Sequence, residues 1–422
     1  MKLDLSVDVH HLTRVEGHGN IMVQVRDGKI QEARWDVVET PRYFEAILKG
    51  KHYTSAGLLT ARICGICSFG HCLASLRATE NAFGISIPER AAWLRLLAKH
   101  GETLQSHCLH LFFLAAPDFL NTSSVIPLLE SHPEVVALAL RLKGLGNRLC
   151  EVTGGRATHP VSLQVGGVTL MPEGLGSLRD ELQHSLDDLA MAVELFHTFE
   201  IPDFVRETEF VSLKGENEYP FIGGRLISSD GVEHAEHEYL PMTNEYTDKN
   251  NTSKWCKLSR ESFAVGALAR FNNNHHLIHP QALDIASSFG LTPVCHNPFM
   301  NNIAQLVECV HVVHDSIRLI DKLLESDSEP TMVPVTPRAG EGVGAVEVPR
   351  GILYHSYKYD EKGNITKADC VIPTTQNNAN IHYSLKDLVE QFAVQGMTDE
   401  KLELLCSMLV RAYDPCVSCS VH

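Results

Sequence analysis

The sequence predicts an α+β fold that is predominantly α, a helical body carrying β-hairpin appendages near its N-terminal and C-terminal ends. Three observations predict it. The first 40 residues alternate polar and apolar side chains in short runs, the pattern of strands. From about residue 88, segments of 20 or more residues carry apolar side chains at three- and four-residue spacing, the pattern of amphipathic helices. A second pair of alternating runs, 352–360 and 364–372, flanks Lys362-Gly363.

In chain order, Leu3–His11, Asn20–Arg26 and Ile30–Glu39 read as strands, with Asp27-Gly28 as the hairpin turn between the second and third. Pro88–Ala116, Ser131–Thr153, Leu175–Phe199 and Asn302–Glu325 read as helices. The third begins near Pro172-Glu173, because proline fits a first helical turn. Phe210 to Asn273 is rich in Gly, Asn, Ser and Thr and reads as loops and short strands. Ser384–Tyr413 reads as one last helix. There is no internal repeat, low-complexity tract or flexible linker, so 1–422 reads as a single unit. Within it, 1–55 is β-rich, 56–210 helical, 211–275 loops and short strands, and 276–422 helical with a hairpin and a terminal motif.

Lys and Arg number 36 against 52 Asp and Glu, a net charge of −16, which opposes a nucleic-acid groove. The opening residues lack the basic flank and apolar core of a signal peptide. The most apolar stretch, Leu109–Pro117, is too short to span a bilayer. These features lead us to expect a soluble, cytoplasmic protein with no membrane span.

Most of the twelve cysteines are expected to stay reduced in that compartment, as small buried hydrophobes such as Cys309 and Cys406. Two C-x-x-C pairs stand apart: Cys64 with Cys67, and Cys416 with Cys419. Each pair brings two thiolates within reach of one metal, and together they make a four-sulfur site. Structural zinc is the commonest use of four cysteines, but zinc pairs sit roughly 15–20 residues apart. Here nearly the whole chain separates them, which favours a functional metal. A thioredoxin-like redox pair would need a βαβ setting that neither motif has. His422, three residues after Cys419, adds an imidazole and a carboxylate. Gly154-Gly155 and Gly166-Gly167 lack the spacing of nucleotide loops, His275–His279 reads as a polar loop, and Glu325–Glu329 as a solvated helix end.

The segments R-x-C-G-x-C-x-x-x-H (Arg62–His71) and D-P-C-x-x-C-x-x-H (Asp414–His422) resemble both signatures of the large, catalytic subunit of nickel–iron hydrogenases. Thr13–His18 is similar to the family's T-R-[IV]-E-G-H, and Arg42–Glu45 with Leu48–Gly50 to its R-G-[FL]-E…L-x-G. Gly155-Arg156, His159-Pro160 and Gly166-Gly167 match a mid-chain segment, and Glu347–Gly351 matches E-A-P-R-G. Tyr43 replaces the usual glycine and Val348 the usual alanine.

The resemblance implies reversible heterolytic cleavage of H2 at a nickel–iron centre. Cys64 and Cys416 would be terminal nickel ligands, while Cys67 and Cys419 would bridge to an iron carrying carbon monoxide and two cyanides. Arg350 would lie over the open site, with Pro373 and Thr374 completing the pocket and Asp118 and Asp414 pairing with the arginine. His71 would hydrogen-bond a bridging sulfur. Glu16 would accept the first proton; read alone, it is a helix-cap or surface carboxylate. Glu45 and His422 would hold a magnesium ion, with a backbone ligand somewhere between Arg350 and Pro373; read alone, Glu45 is a surface ion pair with Arg42.

The family also implies a small subunit carrying Fe–S clusters, since no further cysteines here have cluster spacing. The short length and the D-P-C-x-S-C-S-x-H ending resemble the soluble, cytoplasmic, bidirectional enzymes, which are wired to NAD(P)/flavin or ferredoxin-type subunits. Ending on His422 matches a subunit matured by removal of a C-terminal peptide. Two alternatives stand beside this reading: the related complex I subunit, which lacks the four cysteines, and a scaffold closed by Cys-four zinc.

Overall fold

Leu5–Val9, Gly19–Arg26 and Lys29–Val37 pair in that order as an antiparallel meander. The computed structural model describes residues 3–169, 171–326, 330–394 and 396–422. Asp27 and Gly28 both take positive φ (55° and 75°), as a two-residue hairpin turn with right-handed strand twist demands. Leu5, Val7, Ile21, Val23 and Val25 face inward, and the fully buried Trp35 donates from its indole to Asn378 at 3.4 Å.

The helical expectations hold with informative breaks. Pro133–Gly154 and Asn301–Glu325 match closely. The Pro88–Ala116 run is an α-helix over Glu89–Cys108 that widens into a π-helix at Leu109–Ala115 before a short turn, Ala116–Phe119. Pro117 has no N–H to donate backwards, so the regular ladder cannot continue through it. The third helix starts at Leu175 rather than Pro172, because Gly174 takes a left-handed conformation (φ 74°) just before it.

The last run is two helices, Pro373–Phe392 and Asp399–Ala412. The first begins at Pro373, ahead of the expected Ser384, with proline in its first turn. The second has its own N-cap, Thr398, whose hydroxyl accepts from the Lys401 N–H. Gly396 (φ 96°) lies between them. The expected helix end at Glu325–Glu329 falls partly on 327–329, outside the described residues.

Ser68–Phe83 falls inside the 56–210 span expected to be helical, but it is buried on nearly every side and carries no amphipathic stripe of its own. Two further elements differ from expectation. Ala267–Asn274 is a helix inside the segment read as loops. Gly340–Val348 adds a strand before the expected hairpin, giving a second meander with Gly351–Tyr359 and Ile365–Val371. That strand is glycine-rich, a composition depleted in sheets, because the Ser68–Phe83 helix crosses it almost in backbone contact. A Cβ on Gly342 would meet the Ala78 carbonyl oxygen at 2.2 Å, and one on Gly344 would meet that of Ala74 at 2.2 Å.

Buried apolar residues from Leu5 to Val421 form one connected cluster, with two smaller clusters beside the second meander. Among the described residues no helix is long and apolar enough to cross a membrane.

The close helix–strand crossing yields a paired stability test. Gly342→Val should cost about 3 kcal/mol or more, since neither backbone can withdraw. Gly144→Ala, on a helix with open space around its Cα, should stabilise by about 0.5–1 kcal/mol. Urea denaturation reads both; equal effects would contradict the packing described.

Candidate metal centre

Cys64 follows the short turn Ala61–Ile63, and Cys67 caps the N-terminus of the Ser68–Phe83 helix. The N–H groups of Ile66 and Cys67 both donate to Cys64 Sγ, at 3.3 and 3.1 Å. Cys416 and Cys419 lie beyond the Asp399–Ala412 helix, and Cys416 Sγ sits 3.7 Å from Cys64 Sγ. The sulfurs of Cys64, Cys67 and Cys419 lie mutually within 4.8 Å, as do those of Cys416 and Cys419 with a Glu16 carboxylate oxygen. All four cysteines are buried. The fold thus closes the two ends of the chain into one sulfur cage.

The C-x-x-C turn brings the Cα atoms of Cys416 and Cys419 to 5.5 Å and sets their sulfurs against each other in the cage, while the other ten cysteines are free.

The terminal arm is held at several points. Val417 N–H donates to the Glu16 carbonyl at 2.8 Å. The Glu16 carboxylate accepts from the Ser418 N–H at 3.1 Å and from the Ser418 hydroxyl, and its Oε2 is 3.1 Å from Cys416 Sγ. Glu16 is therefore neither a helix cap nor a surface carboxylate. Arg42 donates from one nitrogen to the carbonyls of Ile63 (2.8 Å) and Ser418 (2.6 Å), one beside each cysteine pair. That engagement replaces the ion pair with Glu45 suggested by proximity in sequence. Thr374, in the first turn of the Pro373–Phe392 helix, accepts from Cys416 N–H at 3.0 Å, with buried Pro373 beside it.

Arg350 lies in the turn between the first two strands of the second meander and is 3% exposed. It donates to the Asp414 carbonyl (2.7 Å) and carboxylate (2.9 Å), and its Nη1 is buried without a partner among the described residues. Burial alone would lower its pKa, but Asp414, Cys67 and Cys64 outweigh that and raise it. A hydrogen bond from Cys67 and the nearby guanidinium hold the Cys64 thiol below its ordinary value despite burial. Donating to Cys64, together with burial, pushes Cys67 well above it. Beneath this turn, fully buried Arg270 donates to the carbonyls of Val348 (2.9 Å) and Pro349 (3.3 Å). The same guanidinium is neutralised by Glu308 at 2.6 and 2.7 Å and Glu347 at 2.9 Å.

Asp118 does not pair with Arg350. It binds Arg14 and Arg411, the latter at 2.9 and 3.0 Å. The Ala116–Phe119 turn faces the loop before Glu16, where Arg411 also donates to the Thr13 carbonyl at 3.0 Å. Asp118 thus braces the loop that carries Glu16. His71 is fully buried, with Nδ1 3.1 Å from His355 Nε2 and a buried Nε2 that has no partner among the described residues. His422 Nε2 lies 3.5 Å from Glu45 Oε1, which also accepts from Cys370 N–H at 2.9 Å. Burial pushes the Glu45 carboxyl up, but the bonds from His422 and Cys370 win and lower it. His275–His279 joins no metal-type cluster among the described residues.

A family model described as nickel-dependent hydrogenase matches residues 42–134 and 225–422, and one described as HoxL-like matches 6–40. The chain belongs to the nickel-dependent hydrogenase family. Sulfhydrogenase 1 subunit alpha of Pyrococcus furiosus is 32% identical over 100% of this chain and 98% of its own length. The NAD-reducing hydrogenase HoxS subunit beta of Cupriavidus necator is 28% identical over 97% of this chain and 93% of its own. A crystal structure of an NAD+-reducing [NiFe]-hydrogenase in the H2-reduced state superposes with a TM-score of 0.90 at 27% identity, covering 99% of both chains. The [NiFeSe]-hydrogenase of Dm. baculatum shares the fold, with a TM-score of 0.79 at 22% identity over 99% of this chain and 100% of its own.

This hydrogenase chain is a large, catalytic subunit, and the complex I and zinc-scaffold alternatives fall away. Its four cysteines fit a nickel–iron centre. Arg270, Ser418 and His355 went unassigned from sequence; Arg42 stood inside a recognised motif and was read only as a partner of Glu45, but its partners are carbonyls.

Asp118→Ala should leave Arg14 and Arg411 without their counter-charge and cost about 3–5 kcal/mol. A loss below about 1 kcal/mol in urea denaturation would remove Asp118 as the brace.

Proposed function

We propose that Cys64 and Cys416 hold nickel as terminal ligands, and that Cys67 and Cys419 bridge it to an iron carrying carbon monoxide and two cyanides. Soft thiolates suit both metals, and the centre supplies the redox chemistry of reversible H2 cleavage. The chain's own residues handle the proton. The observation that carries this reading is the Glu16 carboxylate, 3.1 Å from Cys416 Sγ. At that distance a proton on the sulfur transfers directly to Glu16 Oε2. Ser418 holds the carboxylate in place through its N–H and hydroxyl.

Arg350, fixed by Asp414, keeps Nη1 free as a donor to a cyanide, with Pro373 and Thr374 walling the pocket. His71 supports a bridging sulfur through Nε2. Glu45 and His422 hold magnesium; an imidazole nitrogen 3.5 Å from a carboxylate oxygen suits one shared cation as well as direct pairing. The Lys254–Glu245 ion pair (2.8 Å) adds charge nearby.

Electrons pass to a small subunit with Fe–S clusters, and from there to NAD(P)/flavin or ferredoxin-type subunits. The NAD-reducing relative supports an NAD(P)-linked acceptor, and the assembly is placed in the cytoplasm as part of the same proposal.

Elemental analysis of the isolated large subunit tests the centre: nickel and iron in equal amounts are expected, and zinc alone would overturn it. Cys64→Ser, Cys67→Ser, Cys416→Ser and Cys419→Ser should each abolish hydrogen activity, whereas Cys406→Ser should cost only packing. Glu16→Gln should keep metal content while hydrogen/deuterium exchange falls by about 10²–10⁴-fold; undiminished exchange would move the proton exit elsewhere.

A further inference from the structure

Behind His71 lies a buried polar chain that the proposed function leaves unused. His355, on the middle strand of the second meander, is 0% exposed. Its Nε2 lies 3.1 Å from His71 Nδ1, and its Nδ1 lies 2.6 Å from the Tyr357 hydroxyl and 3.7 Å from Cys370 Sγ. His71 Nε2 is the one nitrogen of these two rings left without a partner.

A neutral imidazole carries one N–H and one lone pair, so each bond along the chain fixes the next. Both rings are fully buried and neither hydrogen-bonds a carboxylate among the described residues, so both are neutral. Burial also pushes the Tyr357 hydroxyl and Cys370 thiol well up, so both retain hydrogens to donate. His355 Nδ1 is faced by two groups that carry hydrogens, the Tyr357 O–H at 2.6 Å and the Cys370 S–H at 3.7 Å, and so serves as their acceptor. Tyr357 therefore donates to His355 Nδ1. His355 then carries its hydrogen on Nε2 and donates to His71 Nδ1. The remaining hydrogen of His71 must sit on Nε2.

We propose that His355, oriented by Tyr357 and Cys370, is a positioning residue that fixes the tautomer of His71, so that His71 presents an N–H donor rather than a lone pair to the cysteine cage. This rests on the reading of His71 as hydrogen-bonded to a cage sulfur. A donor to a thiolate stabilises its negative charge and raises the potential of the metal it binds. The opposite tautomer would set a lone pair against sulfur electrons.

The test uses the intact heteromeric enzyme, with nickel and iron content and the midpoint potential of the nickel signal in an electron paramagnetic resonance titration as readouts. His71→Leu is the reference and should shift the potential negative. His355→Leu should shift it in the same direction with metal content retained. His355→Gln, whose amide N–H can still donate to His71 Nδ1, should restore the wild-type value. If His71→Leu shifts the potential but both His355 variants match wild type, the tautomer relay is wrong and the His71 reading stands. If His71→Leu leaves it unchanged, the His71 reading fails and the relay with it. Equal shifts from His355→Leu and His355→Gln would make the effect one of packing and overturn the relay. Should His355→Leu fail to load metal, Tyr357→Phe decides: it keeps the ring, removes the donor and should give a smaller negative shift, and an unchanged potential overturns the proposal.

Discussion

The structure turns on the closure of the last seven residues over the loop at Glu16. The Glu16 carbonyl takes the Val417 N–H, its carboxylate takes two donors from Ser418, and Arg42 ties Ser418 to Ile63. These contacts place cysteines from the two ends of the chain within a few ångströms of one another. The helices position the pieces, but this set of polar contacts, several from backbone groups, determines whether the cage exists. The same carboxylate that pins the arm also faces Cys416. Holding the arm and the proposed receipt of the proton thus fall to one side chain, and substitutions at Glu16 are best judged with metal content measured alongside.

Around that closure the protein buries charge that is expensive to remove from water and matches each group with partners. Arg270 is met by Glu308 and Glu347, and Glu308 also accepts from the Tyr219 hydroxyl at 2.7 Å and lies 2.7 Å from His107 Nε2. Arg350 is met by Asp414, and Asp118 by Arg14 and Arg411. Each cluster fixes one loop: Arg270 the turn bearing Arg350, Asp118 the loop bearing Glu16. Such pairs add little net stability, but breaking one strands a charge, which makes the loop geometry hard to change piecemeal. Rigid loops around a pre-formed cage are what a centre with defined ligand geometry needs.

Much of this was legible in the residues. The N-terminal meander followed from alternation and Asp-Gly, and the helix Asn301–Glu325 from its three- and four-residue spacing. The cage cysteines followed from two C-x-x-C pairs too far apart for a local zinc knuckle. The missed strand Gly340–Val348 is glycine-rich, and the Ser68–Phe83 helix, expected only as part of a helical span, is buried all round, so neither shows the half-exposed pattern that periodicity detects. The break at Gly396 was hidden because the apolar spacing on either side stays in phase with one long helix.

The sequence by itself determined the fold class, the four cage cysteines and the carboxylate and histidine candidates, because residue type and spacing state which chemistry is available. Only the tertiary structure decided which candidates act together. It gave Asp414 rather than Asp118 to Arg350, turned Arg42 from Glu45 to two carbonyls, and set His355 behind His71. Those choices rest on backbone acceptors and on side chains brought together from distant segments. Neither leaves a mark on local residue patterns, since a carbonyl is the same at every position and a contact across hundreds of residues has no spacing to read.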